Sequence, residues 1–500
     1  MSATHQSTDT IAVENPATGA TLREVPTTSP ERVAELFAAA RTAQPAWEAL
    51  GFDGRGAIFA RARKWLVANG DRMLDTITSE TGKTRDDAQL ELTVAIQSFA
   101  FWVKHAPKYL ADQRFRSSSP LALGRRVVVR HVPMGVVGVI GPWNYPLVNA
   151  FCDCVPALLA GNSVVLKPSE VTPLTAFLVE EMLEACDMPK DVFSVAPGAG
   201  ATGSALIDEA DFVMFTGSTA TGKKVMAQAA ETLTPVSLEL GGKDATIVCA
   251  DADIDRAANA AAYYSMNNGG QVCISMERIY VEAPVYDEFV KKLVENVKKL
   301  RQGAPGGAGT VEVGAVTHPP QIDIIDSHVK DAVSKGASVL VGGKKKDSAQ
   351  GRFYEPTVIV GVDHSMTCMT EETFGPTVPV MRVENVEEAI RLANDSPYGL
   401  QGSVFTTDME KGEAIARRMQ CGAVCLNDAQ INYLVFDAPM GGWKTSGVGS
   451  RHGATGIRKY CKTQTILLSH FMPKRDLHMF PYKPGVSKLL AKSVGWLYGR

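Results

Sequence analysis

The stretch MFTGSTATGKK, residues 214–224, decides how the rest of the chain is interpreted. It nearly matches a phosphate-binding P-loop, because Gly217, four further residues and Gly222 are followed by Lys223. A P-loop places a Mg²⁺-binding Ser or Thr at the next position, where this chain has Lys224. A glycine turn that enters a helix also suits the phosphates of a dinucleotide. The stretch alone therefore leaves open a nucleoside triphosphatase, a dinucleotide turn and a tight turn without a ligand.

Length and composition predict a globular protein of two or three domains. The 500 residues are 45% hydrophobic and 21% charged, with a formal net charge of −3. This balance argues against broad binding of nucleic acid, which needs a positive excess. Residues 1–10 lack the basic start and apolar stretch of a secretory signal, and no apolar run reaches the roughly 20 residues of a membrane span. We expect a cytoplasmic protein whose nine cysteines are reduced.

The cysteine spacing gives little support for a metal site. Cys152 with Cys154 and Cys421 with Cys425 are the closest pairs in the chain. Neither pair has a matching second pair or a histidine cluster nearby. Buried thiols that act as small hydrophobic side chains explain them better, so we expect no bound metal.

Periodicity predicts helices first and alternating strands and helices later. Three segments with apolar residues at three- and four-residue spacing are predicted helices: 30–47, which begins with Pro30 behind Ser29, 55–70 and 86–106. From residue 164 onward, short apolar runs alternate with helical segments.

Two predicted helices illustrate this alternation. Residues 212–217 form a predicted strand that leads into a helix near Thr219, and Thr172 is a plausible N-cap with Pro173 as first helical residue. A second alternating series follows 237–251 and continues to about residue 440. Such alternation predicts βαβ units and parallel sheets, hence an α/β fold with two α/β domains.

Three separate motifs contribute residues capable of joint chemistry. Cys273 in GQVC follows small and amide residues, and an exposed thiolate there would be a nucleophile. Glu239 in LELGGK ends an apolar strand, where partial burial would make it a general base. Asn144 in PWNYP has a constrained backbone that suits an oxyanion donor. Taken singly, each has an ordinary alternative: a buried thiol, a salt-bridged carboxylate and a turn amide.

Together, seven motifs in order closely resemble the NAD(P)-dependent aldehyde dehydrogenase family over roughly residues 10–470. They are PWNYP, KPSE, FTGSTATG, LELGGK, GQVC, EETFGP and PMGGWKTSG. The resemblance implies a Rossmann-like dinucleotide-binding domain, a second α/β catalytic domain and a small β oligomerisation element. The implied division is a helical region and NAD-binding domain (1–124 and 135–240), a catalytic domain (241–445), oligomerisation strands (125–134 and 460–472) and a C-terminal extension (473–500).

The resemblance also implies a covalent mechanism. Cys273 would attack the aldehyde carbonyl, and the oxyanion would be held by the Asn144 amide and the backbone N–H of Cys273. Hydride transfer to the nicotinamide would leave a thioester, which water activated by Glu239 would hydrolyse. A non-catalytic binding relative is the alternative, but the three residues that it would be expected to lack are all present.

Cofactor residues are carried over from the resemblance position by position. The residues implied to bind the dinucleotide are Trp143, Lys167, Glu170, Gly217, Ser218, Gly222, Glu372 and Phe374. Glu170 would accept hydrogen bonds from the adenosine ribose and repel a 2′-phosphate. We therefore favour NAD, with NADP possible because Lys167 could partly offset a phosphate.

The substrate is predicted from a departure within the resemblance. GQVC and its continuation, together with residues 446–466, look similar to bacterial succinate-semialdehyde dehydrogenases, some of which bind the distal carboxylate with an Arg after PWN. Here residues 147–154 contain no Arg and include Asp153. An unpaired carboxylate there would disfavour an anionic substrate. We expect an uncharged aliphatic or aromatic aldehyde, with succinic semialdehyde as the alternative.

The C-terminal extension is amphipathic by pattern. Residues 484–500 place Leu489 and Leu490 among lysines, so this segment could lie on a membrane surface or pack against protein. We favour packing against protein. The strand near 463–469 suggests a homodimer or a homotetramer.

Overall fold

The computed structural model describes residues 10–119, 122, 124–346, 351–470, 472–476 and 479–499. Residues 1–9, which we expect to carry no signal peptide, lie outside the described residues, as does Arg500 of the extension. The chain forms two compact units. One contains the chain up to Leu110 together with Pro133–Cys461, and the other contains Ala111–Val132 together with the chain from Lys462 onward.

The described strands form four sheets of two, three, six and seven strands. They are β1 (Thr10–Glu14), β2 (Thr21–Pro26), β3 (Gln113–Arg116), β4 (Arg125–Pro133), β5 (Val136–Ile140), β6 (Ser163–Lys167), β7 (Phe193–Val195), β8 (Phe212–Thr216), β9 (Val236–Glu239), β10 (Asp244–Val248), β11 (Met276–Glu282), β12 (Ser338–Val341), β13 (Thr357–Val360), β14 (Thr377–Val383), β15 (Gln401–Phe405), β16 (Ala423–Leu426), β17 (Gly447–Val448) and β18 (Cys461–Ser469).

α-Helices alternate with the strands along much of the described chain. They are α1 (Pro30–Ala49), α2 (Gly51–Ala68), α3 (Gly70–Thr81), α4 (Arg85–Tyr109), α5 (Cys152–Leu159), α6 (Leu174–Ala185), α7 (Gly200–Glu209), α8 (Thr219–Glu231), α9 (Ile254–Met266), α10 (Tyr286–Val297), α11 (Gln321–Ser334), α12 (Thr367–Thr370), α13 (Val386–Asn394), α14 (Met409–Ala416), α15 (Gly453–Arg458) and α16 (Pro484–Tyr498). None of these helices is both long and apolar enough to cross a membrane.

The six-stranded sheet has the order β17-β9-β8-β5-β6-β7 and is parallel except for β17. Every residue of β5, β6 and β8 is buried, as expected for parallel strands covered on both faces. The chain builds outward from β5 to β7 and then returns to place β8 on the other side of β5. A crevice therefore opens at the carboxyl ends of β5 and β8, where doubly wound sheets bind their ligands.

The seven-stranded sheet has the order β12-β13-β14-β11-β10-β15-β16, with only β12 antiparallel to its neighbour. Helices α9 and α10 pack on one face of this sheet, and α11 and α13 pack on the other. The predicted α/β fold with two parallel sheets is confirmed. The predicted strand at 212–217 is confirmed as β8, and the helix predicted near Thr219 is confirmed as α8.

Helix prediction was accurate for α1, α2 and α4 but incomplete elsewhere. Helix α3 was not predicted, and the region 1–124, predicted to be helical, also contains β1, β2 and β3. The predicted start of α6 was also wrong. Its first two N–H groups, those of Leu174 and Thr175, donate to the carboxylate of Glu80 at 2.6 and 2.9 Å, so the cap comes from α3. The hydroxyl of Thr172 instead donates to the carbonyl of Trp143 at 3.1 Å.

The second unit contains a three-stranded sheet of order β18-β4-β3. Strands were predicted over 125–134 and 460–472, and β4 and β18 confirm them as strands. Helix α16 in the same unit has no buried residue, and Leu489, Trp496 and Tyr498 are each 60% or more exposed.

Candidate active site

A cleft of about 840 Å³ opens at the carboxyl ends of β5, β6, β8 and β9. We call it the main cleft. All the site residues predicted from the sequence except Gly222 line it: Trp143, Asn144, Lys167, Glu170, Gly217, Ser218, Glu239, Cys273, Glu372 and Phe374. Segments separated by more than two hundred residues thus meet in one place.

One wall of the main cleft is the N-terminus of α8. Ser218 is its N-cap, with a hydroxyl that accepts the N–H of Thr221 at 3.3 Å, and Gly217 connects it to β8. This leaves backbone N–H groups at the positive end of a helix dipole facing the cleft, an arrangement that suits a phosphate group. Gly222 lies one turn further, where a Cβ atom would collide with the side chain of Leu240. Its lack of a side chain permits close packing of the helix on the sheet.

A polar corner of the main cleft is formed where β6 ends. The ammonium group of Lys167 lies 3.2 Å from the carboxylate of Glu170. Lys167 is buried, and burial lowers its pKa, whereas the side chain of Glu170 is about half exposed at 48%. The corner therefore offers an accessible carboxylate beside a shielded cation, which suits the hydroxyl groups of a ribose.

Glu372 and Phe374 come from the loop before β14. The carboxylate of Glu372 accepts the N–H of Gly242 at 2.9 Å, and burial raises its pKa to about 8. The ring of Phe374 packs edge-on against Trp143 with 5.2 Å between centroids. Phe374 has a left-handed φ of 52°, which costs about 1 kcal/mol or more in a non-glycine residue. A hydrogen bond of 2.8 Å from its N–H to Glu277 helps to offset that strain.

Cys273 lies in the loop between α9 and β11 and is half-buried. Its sulfur-bearing side chain lines both the main cleft and a second cavity described below. Gly242 must lack a side chain, since a Cβ atom there would collide with the carbonyl oxygen of Cys273. Burial raises the pKa of the Cys273 thiol to about 12, so the thiol must give up its proton to a base before it attacks.

Asn144 is fixed on both its backbone and its side chain. Its side-chain N–H₂ group donates one hydrogen bond of 2.8 Å to the carbonyl of Gln271, two residues before Cys273. Its own carbonyl accepts the ammonium group of Lys83 at 2.8 Å. An amide has two N–H donors. The second N–H is therefore available to an oxygen atom in the main cleft, close to the segment that carries Cys273.

Glu239 ends β9 and is 3% exposed. Its Oε1 atom has no hydrogen-bond partner among the described residues, and its Oε2 atom lies 3.6 Å from Nη1 of Arg451. Burial raises the pKa of Glu239 to about 7, while Arg451 and Lys459 oppose the shift. A buried carboxylate with an unbonded oxygen and a near-neutral pKa can accept a proton from water.

A second cavity of about 230 Å³, which we call the apolar chamber, reaches Cys273 from another side. Its walls are mainly aliphatic and aromatic: Leu90, Val94, Tyr145, Val148, Tyr263, Tyr264, Val272, Ile274, Ile431, Tyr433 and Leu434. Asn149 lines both cavities, and its side-chain oxygen accepts the hydroxyl of Tyr433 at 2.8 Å. Cys273 is therefore within reach of small molecules in both the chamber and the main cleft.

The described residues that line the apolar chamber include no Lys, Arg or His. Glu91 is the charged residue among them, and both oxygens of its carboxylate already accept hydrogen bonds from other groups of the protein. One oxygen accepts the ammonium group of Lys83 at 2.7 Å, and the other accepts the N–H groups of Leu147 and Val148 at 2.9 and 3.2 Å. The chamber thus has no cation available to a substrate carboxylate.

The expectation that Asp153 is unpaired was wrong. Its carboxylate accepts Nε and Nη2 of Arg451 at 2.9 and 2.8 Å, and both side chains are buried. The pairing joins α5 to the loop before α15, which a sequence does not reveal. Asp153 also does not line the apolar chamber. Its charge therefore carries no argument about the substrate.

The main cleft and the apolar chamber fit what the comparisons with known proteins show. The pattern of the aldehyde dehydrogenase family matches residues 3–466. A Mycolicibacterium smegmatis protein named "Putative succinate-semialdehyde dehydrogenase", of the NADP(+) type, is 43% identical over 92% of this chain and 89% of its own length. A Methylomonas 4,4'-diapolycopene aldehyde oxidase is 37% identical over 98% of this chain and 92% of its own.

A solved structure agrees. The Mycobacterium tuberculosis aldehyde dehydrogenase complexed with NAD+ superposes with a TM-score of 0.89 at 33% identity, covering 94% of this chain and 96% of that chain.

The chain belongs to the aldehyde dehydrogenase family.

It is an NAD(P)-dependent aldehyde dehydrogenase. A family that uses a dinucleotide favours the dinucleotide-turn interpretation of residues 214–224 over the P-loop interpretation, which also lacks its Mg²⁺ ligand at Lys224. The residues present also fit a dinucleotide on their own geometry. Free N–H groups at Ser218 suit phosphates, the Lys167 and Glu170 corner suits a ribose, and the volume of the main cleft is ample. In the described part of this aldehyde dehydrogenase, no group of three or more metal-ligating side chains was found.

Several residues that contact the predicted site residues or line the apolar chamber were missed from the sequence. Arg451 was visible only as part of the ending motif, and Lys83 and Glu91 gave no signal because their roles depend on distant partners. The four tyrosines of the apolar chamber were likewise missed, since they come from three separated segments: Tyr145, Tyr263 with Tyr264, and Tyr433. Only Tyr145 lies in a quoted motif, PWNYP, and that motif was interpreted through Trp143 and Asn144.

Proposed function

We propose that this aldehyde dehydrogenase oxidises an uncharged, apolar aldehyde to its carboxylic acid, with NAD as the preferred dinucleotide. The observation that supports the substrate class is the apolar chamber beside Cys273. Its lining is aliphatic and aromatic, and its one carboxylate, Glu91, is already paired with Lys83. A substrate carboxylate placed there would lose its hydration without gaining a partner, which is costly.

In this proposal Cys273 forms the bond that activates the substrate. The thiol transfers its proton to a base, and the sulfur adds to the aldehyde carbon to give a thiohemiacetal on Cys273. The free N–H of Asn144 and the backbone N–H of Cys273 stabilise the oxygen that becomes negative. A nicotinamide held by Trp143, Glu372 and Phe374 would supply the acceptor for the hydride on that carbon, and loss of the hydride would leave the carbon as an acyl thioester on the sulfur of Cys273.

Glu239 completes the reaction. Its carboxylate removes a proton from water, the hydroxide adds to the thioester carbon, and the carbon–sulfur bond breaks. The products are the carboxylic acid and the Cys273 thiol. Trp143, Glu372 and Phe374 hold the nicotinamide end of the dinucleotide in the main cleft, while Lys167, Glu170, Gly217 and Ser218 hold its adenosine and phosphate groups. Gly222 permits the close packing of α8 behind them.

A second candidate substrate is succinic semialdehyde. The name of the M. smegmatis relative favours it, and that protein is 43% identical to this chain. The absence of a free cation among the described residues that line the apolar chamber opposes it. The 4,4'-diapolycopene aldehyde oxidase, whose similarity extends over 98% of this chain, is named for an apolar aldehyde.

A substrate series tests the proposal. Reduction of NAD is measured with propanal, hexanal, decanal, benzaldehyde and succinic semialdehyde at equal concentrations. We expect kcat/KM to rise with chain length as roughly 0.8 kcal/mol is gained per buried methylene, and to be at least about tenfold lower for succinic semialdehyde than for hexanal. A preference for succinic semialdehyde over all neutral aldehydes would overturn the assignment of substrate class.

We further propose that the subunits associate through β18. Strand β18 lies at one edge of its three-stranded sheet, and most of its residues are exposed. An unpaired strand edge favours pairing with another chain. A homodimer or a homotetramer is expected, in a cytoplasmic compartment, and light scattering after size exclusion measures the subunit number. A wholly monomeric protein at micromolar concentration would contradict the role given to β18.

A further inference from the structure

The inference concerns Arg451, and it rests on the proposed role of Glu239. Arg451 reaches three different groups with one buried guanidinium. Nε and Nη2 donate to the two oxygens of Asp153, Nη2 also donates to the hydroxyl of Thr216 at 2.5 Å, and Nη1 points toward Glu239. The guanidinium thus links α5, β8 and the end of β9.

The backbone of Arg451 is fixed as firmly as its side chain. Its N–H donates to the carbonyl of Met440 at 2.6 Å and its carbonyl accepts the N–H of Met440 at 2.9 Å. Strand β17 pairs antiparallel with β9 so that Gly447 lies opposite Glu239. The segment that carries Arg451 is therefore held beside the carboxylate of Glu239. Because the Arg451 side chain is already fixed, it loses little conformational entropy when its charge interacts with Glu239.

The contact between Arg451 and Glu239 differs from an ordinary salt bridge. Their closest approach is 3.6 Å, which is too long for a hydrogen bond, whereas the contact with Asp153 is bidentate. Glu239 Oε1 has no partner among the described residues. The carboxylate therefore lies near a positive charge, while its Oε1 atom accepts no hydrogen bond from the described residues.

We propose that Arg451, anchored by Asp153, is the positioning residue of Glu239 and holds the carboxylate beside the acyl group on Cys273 without hydrogen-bonding it. Asp153 is essential to this arrangement because it balances most of the Arg451 charge. A fully available guanidinium would bind Glu239 directly and make it a weak base. With no guanidinium, the carboxylate would be protonated and loosely placed at neutral pH.

Three groups besides Arg451 interact with the charge of Glu239. Lys459, at the end of α15, opposes protonation of Glu239 together with Arg451, while Asp153 on α5 promotes it. Cys273 is coupled to Glu239 across the main cleft, since the carboxylate raises the pKa of the thiol. Lys459 has its own partner, the hydroxyl of Ser237 at 3.2 Å. Of the two cations, Arg451 is the one whose removal should change the pKa of Glu239 most directly.

The test uses hydrolysis of p-nitrophenyl acetate without dinucleotide, so that it does not depend on hydride transfer. Acylation of Cys273 releases a burst of nitrophenolate, and the steady rate that follows measures hydrolysis of the thioester. In the wild type, the steady rate should rise with pH as Glu239 loses its proton, with a midpoint near its pKa of about 7.

Arg451→Gln should raise that midpoint by about one pH unit, because an attractive charge is lost, and lower the steady rate at pH 7 by about fivefold. Asp153→Asn should move the midpoint in the opposite direction and lower the rate on the high-pH plateau. Arg451→Lys keeps the charge, so its midpoint should stay within about half a unit of the wild type. A merely structural role would not move the midpoint in opposite directions.

Two further variants serve as controls for loss of protein stability. Arg451→Gln leaves Asp153 buried without a partner, so the double variant Arg451→Gln/Asp153→Asn provides a neutral pair that should fold, with a midpoint between those of the single variants. Arg278→Gln is the matched control, since Arg278 is 2% exposed, donates to the carbonyls of Lys243 and Ala393, and is not among the charged groups that shift the pKa of Glu239. It should leave the midpoint unchanged.

The outcomes separate this inference from the proposed function. A midpoint that stays in place in Arg451→Gln and in the double variant, while Cys273→Ala abolishes the burst, would overturn the role of Arg451 alone. A burst that survives in Cys273→Ala would instead overturn the proposed mechanism. Opposite shifts in Arg451→Gln and Asp153→Asn would support the inference.

Discussion

The main cleft and the apolar chamber meet at Cys273, but they are built in different ways. The main cleft is about 840 Å³ and is lined by strand ends, glycine turns and charged side chains. The apolar chamber is about 230 Å³ and is lined by aliphatic and aromatic side chains from helices and loops. The first must recognise a large polar molecule through backbone groups, and the second must recognise a small molecule through shape. Backbone recognition constrains sequence into short motifs, whereas shape recognition does not.

The largest expected effect comes from removing the group that the two cavities share. Cys273→Ala should reduce aldehyde oxidation by a thousandfold or more, because no covalent intermediate can form. Binding of the dinucleotide to the main cleft should persist, and quenching of tryptophan fluorescence can measure it because Trp143 lines that cleft.

The matched control for this variant is Cys421→Ala. Cys421 is also half-buried, and burial raises its pKa to about 12 as well, but it lines neither cavity. Its variant should keep near-normal activity. If Cys421→Ala lost activity while Cys273→Ala kept it, the reactive thiol would not be the one that lines both cavities.

The next effect concerns the main-cleft side of the reacting carbon. Asn144→Ala removes the donor expected to stabilise the oxyanion and should lower kcat/KM by about 10²- to 10³-fold. Asn149→Ala is the control, since Asn149 lines both cavities while its side-chain oxygen is engaged by Tyr433. It should lose less than about tenfold. If steady-state assays gave the same loss of kcat/KM in both variants, the side chain of Asn144 would not be the donor that stabilises the oxyanion.

The difference between the cavities also explains what the sequence could predict. The residues predicted for the main cleft lie in PWNYP, KPSE, FTGSTATG, LELGGK, GQVC and EETFGP, and the structure brings all of them except Gly222 to its lining. Other lining residues, such as Gly200 and His318, lie outside these motifs and were not predicted. Strand β3 was missed because its four residues are all exposed and give no alternation of apolar and polar side chains. Helix α3 was missed although its buried Met73, Leu74 and Ile77 do follow a helical spacing. The Asp153–Arg451 pair joins positions 298 residues apart in the chain. The lining of the apolar chamber is dispersed between Leu90 and Leu434, with no spacing rule.

A moderate effect is expected from changing the chemistry of the apolar chamber. Leu90 lines it and is 41% exposed, so an arginine at that position can keep its charge hydrated. Leu90→Arg should raise kcat/KM for succinic semialdehyde roughly tenfold, which corresponds to about 1.4 kcal/mol, and lower it for hexanal. Leu90→Gln adds polarity without charge and should not improve the anionic substrate. A similar gain in both variants would mean that charge is not the selective property.

The smallest effect concerns the polar corner of the main cleft. Glu170 is about half exposed and is already paired with Lys167 at 3.2 Å, so its repulsion of a 2′-phosphate is screened by solvent and by that cation. Glu170→Gln removes the repulsion and should raise kcat/KM for NADP by roughly threefold, or about 0.6 kcal/mol. The value for NAD should fall slightly, because a neutral amide is a weaker acceptor for ribose hydroxyls. Both values are obtained by titrating each dinucleotide at saturating hexanal. An unchanged ratio between them would show that the preference arises outside this corner.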